Sequence, residues 1–157
     1  MALYTIEEGQ YDVGDARFAI VAARFNHDIV NRLLDGALAA LSRHGVDLQT
    51  VQVHHVPGAF ELPLAAQQIG QQNVDAIITL GCVIRGDTPH FDYVCAEAAR
   101  GIGATSLALS KPVIFGVITT NTSTQADERA GGAHGNKGEE AALAALEMVA
   151  LLRGLQR

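Results

Sequence analysis

The sequence is poor in residue types on which several classes of protein depend. Tryptophan is absent, and aromatic residues make up only 5% of the 157-residue chain. The 17 acidic side chains outnumber the 11 basic ones, giving a net charge of -6. This charge disfavours a nucleic-acid partner, because binding phosphates requires a basic patch. No apolar run reaches the roughly 18 residues of a transmembrane helix, so no membrane span is expected.

Cysteine is also scarce, and the amino terminus lacks the features of a signal peptide. Cys82 and Cys95 do not have CxxC spacing, so both are expected to be free thiols in a reducing cytoplasm. Residues 1–15 carry acidic but no basic side chains and no long apolar stretch, unlike a secretory leader. We therefore expect a cytoplasmic protein.

What the chain does contain is typical of one globular domain. Apolar residues make up 48% and charged residues 18%, and the length suits a single core. Frequent alanine and glycine let helices and strands approach closely but bury little area per residue, so we expect subunit contacts to contribute to stability. We expect residues 1–157 to form one domain. Residues 1–15 are predicted to be an N-terminal arm or edge strand that pairs elsewhere, for example on a neighbouring subunit.

Apolar runs and helical periodicities alternate along the chain. The pattern predicts strands at 17–23, 48–56, 76–80 and 113–118, of which 48–56 is rich in glutamine and valine and alternates. Helices are predicted at about 26–44, 61–70, 91–103 and 138–152, with Asn26 as an N-cap. A capping box at 122–125 predicts a further short helix, which Gly131 stops. The fold class is therefore α/β, a three-layer α-β-α sandwich with a four-stranded parallel sheet.

Polar and aromatic residues follow the strands at their carboxyl ends. These ends lie at one edge of a parallel sheet, where open α/β sheets place their ligands. The loops expected to converge there are 24–27, 56–61, 81–90 and 119–121. Phe25 and Phe60 follow two of the strands, and each could either stack on a planar ligand or plug the end of the sheet.

The segment 81–94 (GCVIRGDTPHFDYV) is the most informative part of the chain. His90 could be a general acid–base, a metal ligand with Asp87 or Asp92, or an inert residue at a helix start. No second histidine lies two to five residues further on, which disfavours the metal. A strand-end position next to Arg85 and Asp87 favours proton transfer.

Two further features of the loops have alternative interpretations. Cys82 could be a nucleophile paired with the histidine, or a small buried residue. The segment 129–138 combines Arg129 and Lys137 with glycine-rich backbone ahead of a helix, so it could bind an anion or simply connect two elements. It is not a P-loop, because Gly138 stands where a serine or threonine must follow the lysine.

Five segments together resemble one enzyme family. They are 24–26 (RFN), 56–63 (VPGAFELP), 81–94, 113–117 (VIFGV), and 128–131 with 135–138 (ERAG and GNKG). In this order and across nearly the whole chain they resemble the lumazine synthase (6,7-dimethyl-8-ribityllumazine synthase) family.

The resemblance implies a flavodoxin-like fold and a defined reaction. The family condenses 5-amino-6-(D-ribitylamino)uracil with 3,4-dihydroxy-2-butanone 4-phosphate, eliminates phosphate and closes the second ring. The partners implied are small-molecule substrates, with no metal or organic cofactor. The family forms homo-pentamers, and some members form sixty-subunit icosahedral shells, with active sites between subunits. The connection 131–137 carries no long insertion of the kind that blocks a shell.

The resemblance also implies roles for individual residues. The pyrimidine and ribityl groups are expected to contact Phe25, Asn26, Gly58, Ala59, Phe60, Glu61, Cys82, Val83 and Ile84. The phosphorylated substrate is expected to contact the segment 86–88, with Asp87 and Thr88, and the cations Arg129 and Lys137. His90 is expected to transfer protons, and Phe115 to come from a neighbouring subunit. The carboxylate of Asp87 so close to a phosphate is unexplained.

Two alternatives remain beside this function. An archaeal-type riboflavin synthase would use the lumazine as its substrate and would not need the phosphate-binding cations. A non-catalytic lumazine or flavin binder, including a cage protein, would not need His90 and Arg129. Without the resemblance, a receiver-like signalling domain would be a further alternative. Such a domain needs acidic residues at its strand ends, whereas the first strand here is followed by Arg24 and Phe25.

Overall fold

Strands and helices alternate through the part of the chain, residues 9–156, that the computed structural model describes. The strands are β1 Phe18–Ala23, β2 Gln52–Val56, β3 Ala76–Ile84, β4 Val113–Thr120, β5 Ala130–Gly132 and β6 Gly135–Asn136. The helices are α1 His27–Arg43, α2 Leu62–Ile69, α3 His90–Leu109, α4 Ser123–Glu128 and α5 Lys137–Leu155. Short 3-10 turns form at Leu48–Thr50 and Ala59–Glu61.

The first four strands form the parallel sheet that was predicted. Their order is β2-β1-β3-β4, and every neighbouring pair is parallel. This order places β1 and β3 in the centre, as in flavodoxin-like folds. The short strands β5 and β6 form a separate antiparallel hairpin.

Alternate residues of each central strand point to opposite sides of the sheet, and helices cover both sides. Phe18 and Ile20 belong to the core between the sheet and α1 with α5. Ala19 and Val21 belong to the core formed with α2 and α3. All of β1 is buried, and each large side chain removed from water contributes about 1.5–3 kcal/mol. The predicted three-layer sandwich is therefore confirmed.

Small residues bring the helices close, as the composition suggested. Gly138 at the start of α5 faces α1, and a Cβ added there would overlap the backbone carbonyl oxygen of Leu33. Gly116 in β4 is packed between the backbone of Thr79 and the side chain of Ala141 on α5. Both contacts require the absence of a side chain.

The predicted second strand was too long and its alternation was wrong. Residues 48–50 form a 3-10 turn instead, where the Asp47 carboxylate accepts a hydrogen bond from Gln49 N–H at 3.0 Å. The strand begins only at Gln52, and its middle residues are exposed because β2 lies at the edge of the sheet.

The predicted third strand and third helix were too short. Strand β3 continues to Ile84, because residues 81–84 pair with residues 117–120 of β4. Glycines 101 and 103 do not end α3, which continues to Leu109. Gly101 is needed for packing, since a Cβ there would come within 2.6 Å of the Pro63 ring. The fourth strand likewise extends two residues beyond the predicted end, to Thr120.

The predicted capping box of α4 is confirmed. Thr122 Oγ1 accepts from the Gln125 N–H at 3.1 Å, and Gln125 Oε1 accepts from the Thr122 N–H at 3.3 Å. The helix ends at Glu128, before the predicted stop at Gly131, which lies in the hairpin with a φ of 100°. The sequence had not predicted this hairpin.

The predicted N-terminal arm falls partly outside the described residues, which begin at residue 9. Residues 9–15 contain neither helix nor strand, although Val13 is buried in the core. Within residues 9–156, no helix has the length and apolar character that crossing a bilayer requires. Cys82 and Cys95 are both free, as expected.

Candidate active site

A cavity of about 710 Å³ opens at the carboxyl edge of the sheet. Its size is in the usual range for small-molecule sites. The predicted site residues that line it are Phe25, Gly58, Ala59, Phe60, Glu61, Cys82, Val83, Ile84, Thr88 and His90, together with Gly86. Residues that are remote in sequence thus meet as the sheet topology predicted.

Backbone hydrogen bonds hold the loops after β1 and β2 together. The Arg24 N–H donates to Val56 O at 2.8 Å, and the Phe25 N–H donates to Pro57 O at 3.1 Å. Both predicted aromatics therefore border the same cavity, with Phe25 72% and Phe60 53% exposed. More than half of each residue is exposed, so neither ring plugs the end of the sheet and each can stack on a ligand.

Asn26 connects two loops of the site. It precedes α1 in the left-handed conformation, with a φ of 60°, which asparagine tolerates better than most residues. Its side chain makes no capping bond, so that part of the prediction was wrong. Instead its Nδ2 donates to the Cys82 carbonyl at 2.8 Å and fixes the first loop to the end of β3. Asn26 itself does not line the cavity.

The structure favours Cys82 as a small buried residue over a nucleophile. Only 2% of it is exposed. Burial, and to a smaller extent the Asp127 carboxylate, raises the pKa of the thiol to about 11. The reactive thiolate is therefore scarce at neutral pH.

The first turn of α3 presents His90 to the cavity. The His90 side chain is exposed, and its backbone N–H donates to Thr88 Oγ1 at 3.4 Å. Phe91 and Val94 line the same cavity and were missed, as was Pro57. Helical spacing from His90 could have indicated Val94, because residues four apart share a helix face. Asp87 lies between Gly86 and Thr88, which both line the cavity, but Asp87 itself is not a lining residue.

Three predicted site residues lie away from the cavity of a single chain. Phe115 is in β4 and 37% exposed, Arg129 follows α4, and Lys137 begins α5. None of them lines the cavity. The structure therefore brings together most of the residues predicted to bind the pyrimidine and the histidine, but not the aromatic predicted to come from another subunit or the two cations.

The backbone of the glycine-rich loop is already hydrogen-bonded. The Lys137 N–H donates to Arg129 O at 2.9 Å, and Asn136 Oδ1 accepts from the N–H groups of Gly138 and Glu139 at 2.8 and 3.1 Å. The loop is thus an ordered hairpin ending in a helix cap. An anion there would be bound by the side chains of Arg129 and Lys137 and not by a backbone cradle.

The described part of the chain contains no cluster of metal-binding side chains. Among residues 9–156, no group of three or more histidine, cysteine, aspartate or glutamate side chains could hold a metal ion. Arg129 lies 3.6 Å from the Glu128 carboxylate, and both side chains are partly exposed. Such an exposed pair is weak and can give way to a stronger anion.

The fold and the cavity define an α/β enzyme that acts on small molecules at the carboxyl edge of a parallel sheet. A model of the 6,7-dimethyl-8-ribityllumazine synthase family matches residues 15–153. The chain belongs to this family, as its sequence motifs predicted.

Two curated relatives are similar over almost their whole length. The 6,7-dimethyl-8-ribityllumazine synthase of Aquifex aeolicus (strain VF5) is 48% identical over 152 residues, covering 96% of this chain and 99% of the relative. The enzyme of the same name from Syntrophus aciditrophicus (strain SB) is 53% identical over 150 residues, covering 95% and 97%. This coverage leaves no room for a large additional domain in either relative.

Proposed function

We propose that the protein condenses 5-amino-6-(D-ribitylamino)uracil with 3,4-dihydroxy-2-butanone 4-phosphate to 6,7-dimethyl-8-ribityllumazine, a step of riboflavin biosynthesis. Family membership supports the reaction. The observation that carries the proposal is the convergence of Phe25, Phe60 and His90 on one cavity of about 710 Å³. The volume is in the usual range for small-molecule sites. Holding two substrates together supplies much of the acceleration of a condensation.

The pyrimidine is proposed to stack on Phe25. A ring that is 72% exposed has been left in water by folding, and a planar ligand would cover it. Ala59, Phe60 and Glu61 border the same space and are proposed to hold the ribityl chain. The strand end 82–84 would contact the pyrimidine edge through its backbone, held in place by Asn26.

His90 is proposed to move protons between the substrates. The arylamine attacks the ketone and gives up two protons, the ketone oxygen takes up two and leaves as water, and an imine forms. Loss of the proton on the carbon next to the imine then expels phosphate and leaves an enol, which becomes a ketone by proton transfer. The ribitylamino nitrogen attacks this ketone, and loss of a second water closes the ring. A histidine at the cavity wall can serve several of these steps, because imidazole exchanges protons near neutral pH.

The phosphate is proposed to bind Arg129, Thr88 and Lys137. A guanidinium can pair with a phosphate through two parallel hydrogen bonds, which also stabilise the phosphate as it leaves. The position of Asp87 outside the cavity lining lessens the repulsion that its sequence position suggested. We still propose that Asp87 lies beside the bound phosphate, as the family resemblance implies.

The enzyme is proposed to be a cytoplasmic homo-pentamer or a sixty-subunit shell, with Phe115 of one subunit completing the site of another. Exposed apolar side chains support subunit contacts, among them Leu64 on α2 at 67% and Leu107 on α3 at 84%. Two unpaired cysteines suit a reducing compartment. Light scattering distinguishes a pentamer from a shell, and a stable monomer would contradict both.

The decisive experiment mixes the purified protein with both substrates. We expect lumazine absorbance to appear with one orthophosphate released for each product formed. A riboflavin synthase would instead consume the lumazine without releasing phosphate. Tight lumazine or flavin binding without phosphate release would favour the non-catalytic alternative.

The exposed ring of Phe25 gives a first prediction. Phe25→Ala should weaken binding of the pyrimidine substrate about five- to tenfold, from the roughly 1 kcal/mol of a stacked aromatic pair. Its stability should hardly change, because the ring is exposed. Isothermal titration calorimetry measures the affinity, with Phe25→Tyr as the control that keeps the ring. Equal affinity in Phe25→Ala and the parent would remove stacking from the proposal.

The histidine gives a second prediction. His90→Ala should lower kcat about tenfold without abolishing turnover, below the usual range for an acid–base residue, because water can reach the exposed site. His54→Ala is the matched control, since His54 is exposed on β2 and bonded only to Gln52 among the described side chains. Steady-state kinetics at saturating substrates measure both. Parental turnover in His90→Ala would end the proton-transfer role.

A further inference from the structure

Arg85 makes three contacts at the end of β3 that the proposed reaction has not used. Its Nε donates to Asn121 Oδ1 at 3.0 Å, and its Nη1 donates to Asp92 Oδ1 at 3.5 Å. Its guanidinium carbon lies 4.4 Å from the centre of the Phe91 ring, a distance at which a cation is attracted to an aromatic face. The backbone is fixed as well, because Arg85 N–H donates to Thr120 O at 2.8 Å.

Two of the contacts are made with the turn that carries His90. Phe91 and Asp92 follow His90 directly in the first turn of α3, and Phe91 lines the cavity with it. Arg85 itself does not line the cavity. It therefore acts on the site through the residues that it holds and not by touching a ligand bound there.

The third contact leads toward Arg129. Asn121 precedes α4, and its N–H donates to Gln125 Oε1 at 2.8 Å. The Gln125 carbonyl in turn accepts a hydrogen bond from Arg129 Nη1 at 2.9 Å. Arg85 thus joins the turn of His90 to the loop before α4, whereas Arg129 lies outside the cavity of the same chain.

We infer that Arg85 is a positioning residue, and this inference rests on the function proposed above. It holds the turn that presents His90 against the loop that precedes α4, and so fixes the direction in which the proton-transferring group enters the cavity. Because its side chain is 46% exposed, its ion pair with Asp92 contributes little to global stability. Its loss should therefore alter the geometry of the site more than the folding of the chain.

Arg85→Met tests this by removing the guanidinium while keeping most of the stem. We expect kcat to fall about fivefold, with the KM for the ribitylaminouracil unchanged. Phe25 and Phe60 stand on other loops, and the backbone of 82–84 stays paired with β4. Arg85→Lys should recover part of the loss, since it keeps a cation near Phe91 but not the planar fork. Arg100→Met is the matched control, because Arg100 lies on α3, the helix that Arg85 contacts, and bonds Glu97 within that helix.

A double-mutant cycle tests the link to α4. Asn121→Ala removes the bond to Arg85 but keeps the backbone bond to Gln125. If both residues act through one contact, Arg85→Met with Asn121→Ala should lose no more activity than Arg85→Met alone. Multiplying losses would overturn the link, and parental kcat in Arg85→Met would overturn the inference.

The outcomes separate this inference from the function on which it rests. If the parent forms no lumazine from the two substrates, the proposed function fails. If the parent is active and Arg85→Met matches it, only the positioning role fails. Should Arg85→Met not fold, as judged by circular dichroism, Asn121→Ala decides alone, and parental kcat in that variant would contradict the inference.

Discussion

Replacing Gly138 with alanine is expected to lower the free energy of unfolding by about 3 kcal/mol or more, at the upper end of what overpacking usually costs. Gly138 lies in the first turn of α5, directly against α1. A Cβ would overlap the carbonyl oxygen of Leu33, with the Leu33 Cα only 2.8 Å away. These are backbone atoms of a buried residue, so no side chain can rotate to make room.

Moving α5 away from α1 would not relieve the overlap cheaply. The Gly138 N–H is held by Asn136 Oδ1 at 2.8 Å, and Asn136 Nδ2 donates to the Arg32 carbonyl on α1 at 3.1 Å. Asn136 makes both bonds, so a shift of α5 away from α1 would break either the cap of α5 or the bond from Asn136 to α1. It would also open the core in which Leu146 of α5 is fully buried.

The same helix supplies the control. Gly154 is near the end of α5, and a Cβ there would meet nothing within 4 Å. Gly154→Ala should raise stability by about 0.5–1 kcal/mol, because alanine is the better helix former. Chemical unfolding at equal protein concentrations measures both variants. Equal midpoints for Gly138→Ala and the parent would show that the two helices are not in the contact described.

Sequence periodicity predicted which elements exist better than where they end. Strands β1, β3 and β4 follow from apolar runs, since a buried parallel strand has no polar face. The end of β3 was misplaced at Leu80, because glycine and cysteine interrupt the pattern although β4 continues to pair beside them. Pairing partners, and not local propensity, decide how far a strand runs.

The candidate site was predictable where its residues directly follow predicted strands. Phe25, Phe60 and His90 each follow a strand, and topology alone brings them to one edge. The bond between Asn26 and Cys82 joins positions 56 residues apart, and no local pattern indicates it. The side-chain contacts of Arg85 likewise depend on how α3 and α4 end up beside β3.

Replacing Arg129 with methionine is expected to lower kcat/KM for the phosphorylated substrate about a hundredfold. Hydrogen bonds to charged groups contribute roughly 1.5–3 kcal/mol, and about 1.4 kcal/mol corresponds to a factor of ten. The guanidinium is partly exposed, 41% of its side chain, and rests on the Gln125 carbonyl and the Glu128 carboxylate. These weak contacts hold it in place yet allow it to turn toward a phosphate dianion.

Arg129→Lys should lose less, about tenfold, because lysine keeps the charge but cannot form two parallel hydrogen bonds. Arg43→Met is the control, since Arg43 is an exposed arginine at the end of α1 paired with Glu139. Inorganic phosphate should inhibit the parent in competition with the butanone phosphate, and Arg129→Met should lose this inhibition. Pyrimidine affinity should be equal in all variants, because Phe25 and Phe60 are untouched. If Arg129→Met weakened pyrimidine binding as much as phosphate inhibition, the arginine would be supporting the structure of the site and not binding the phosphate.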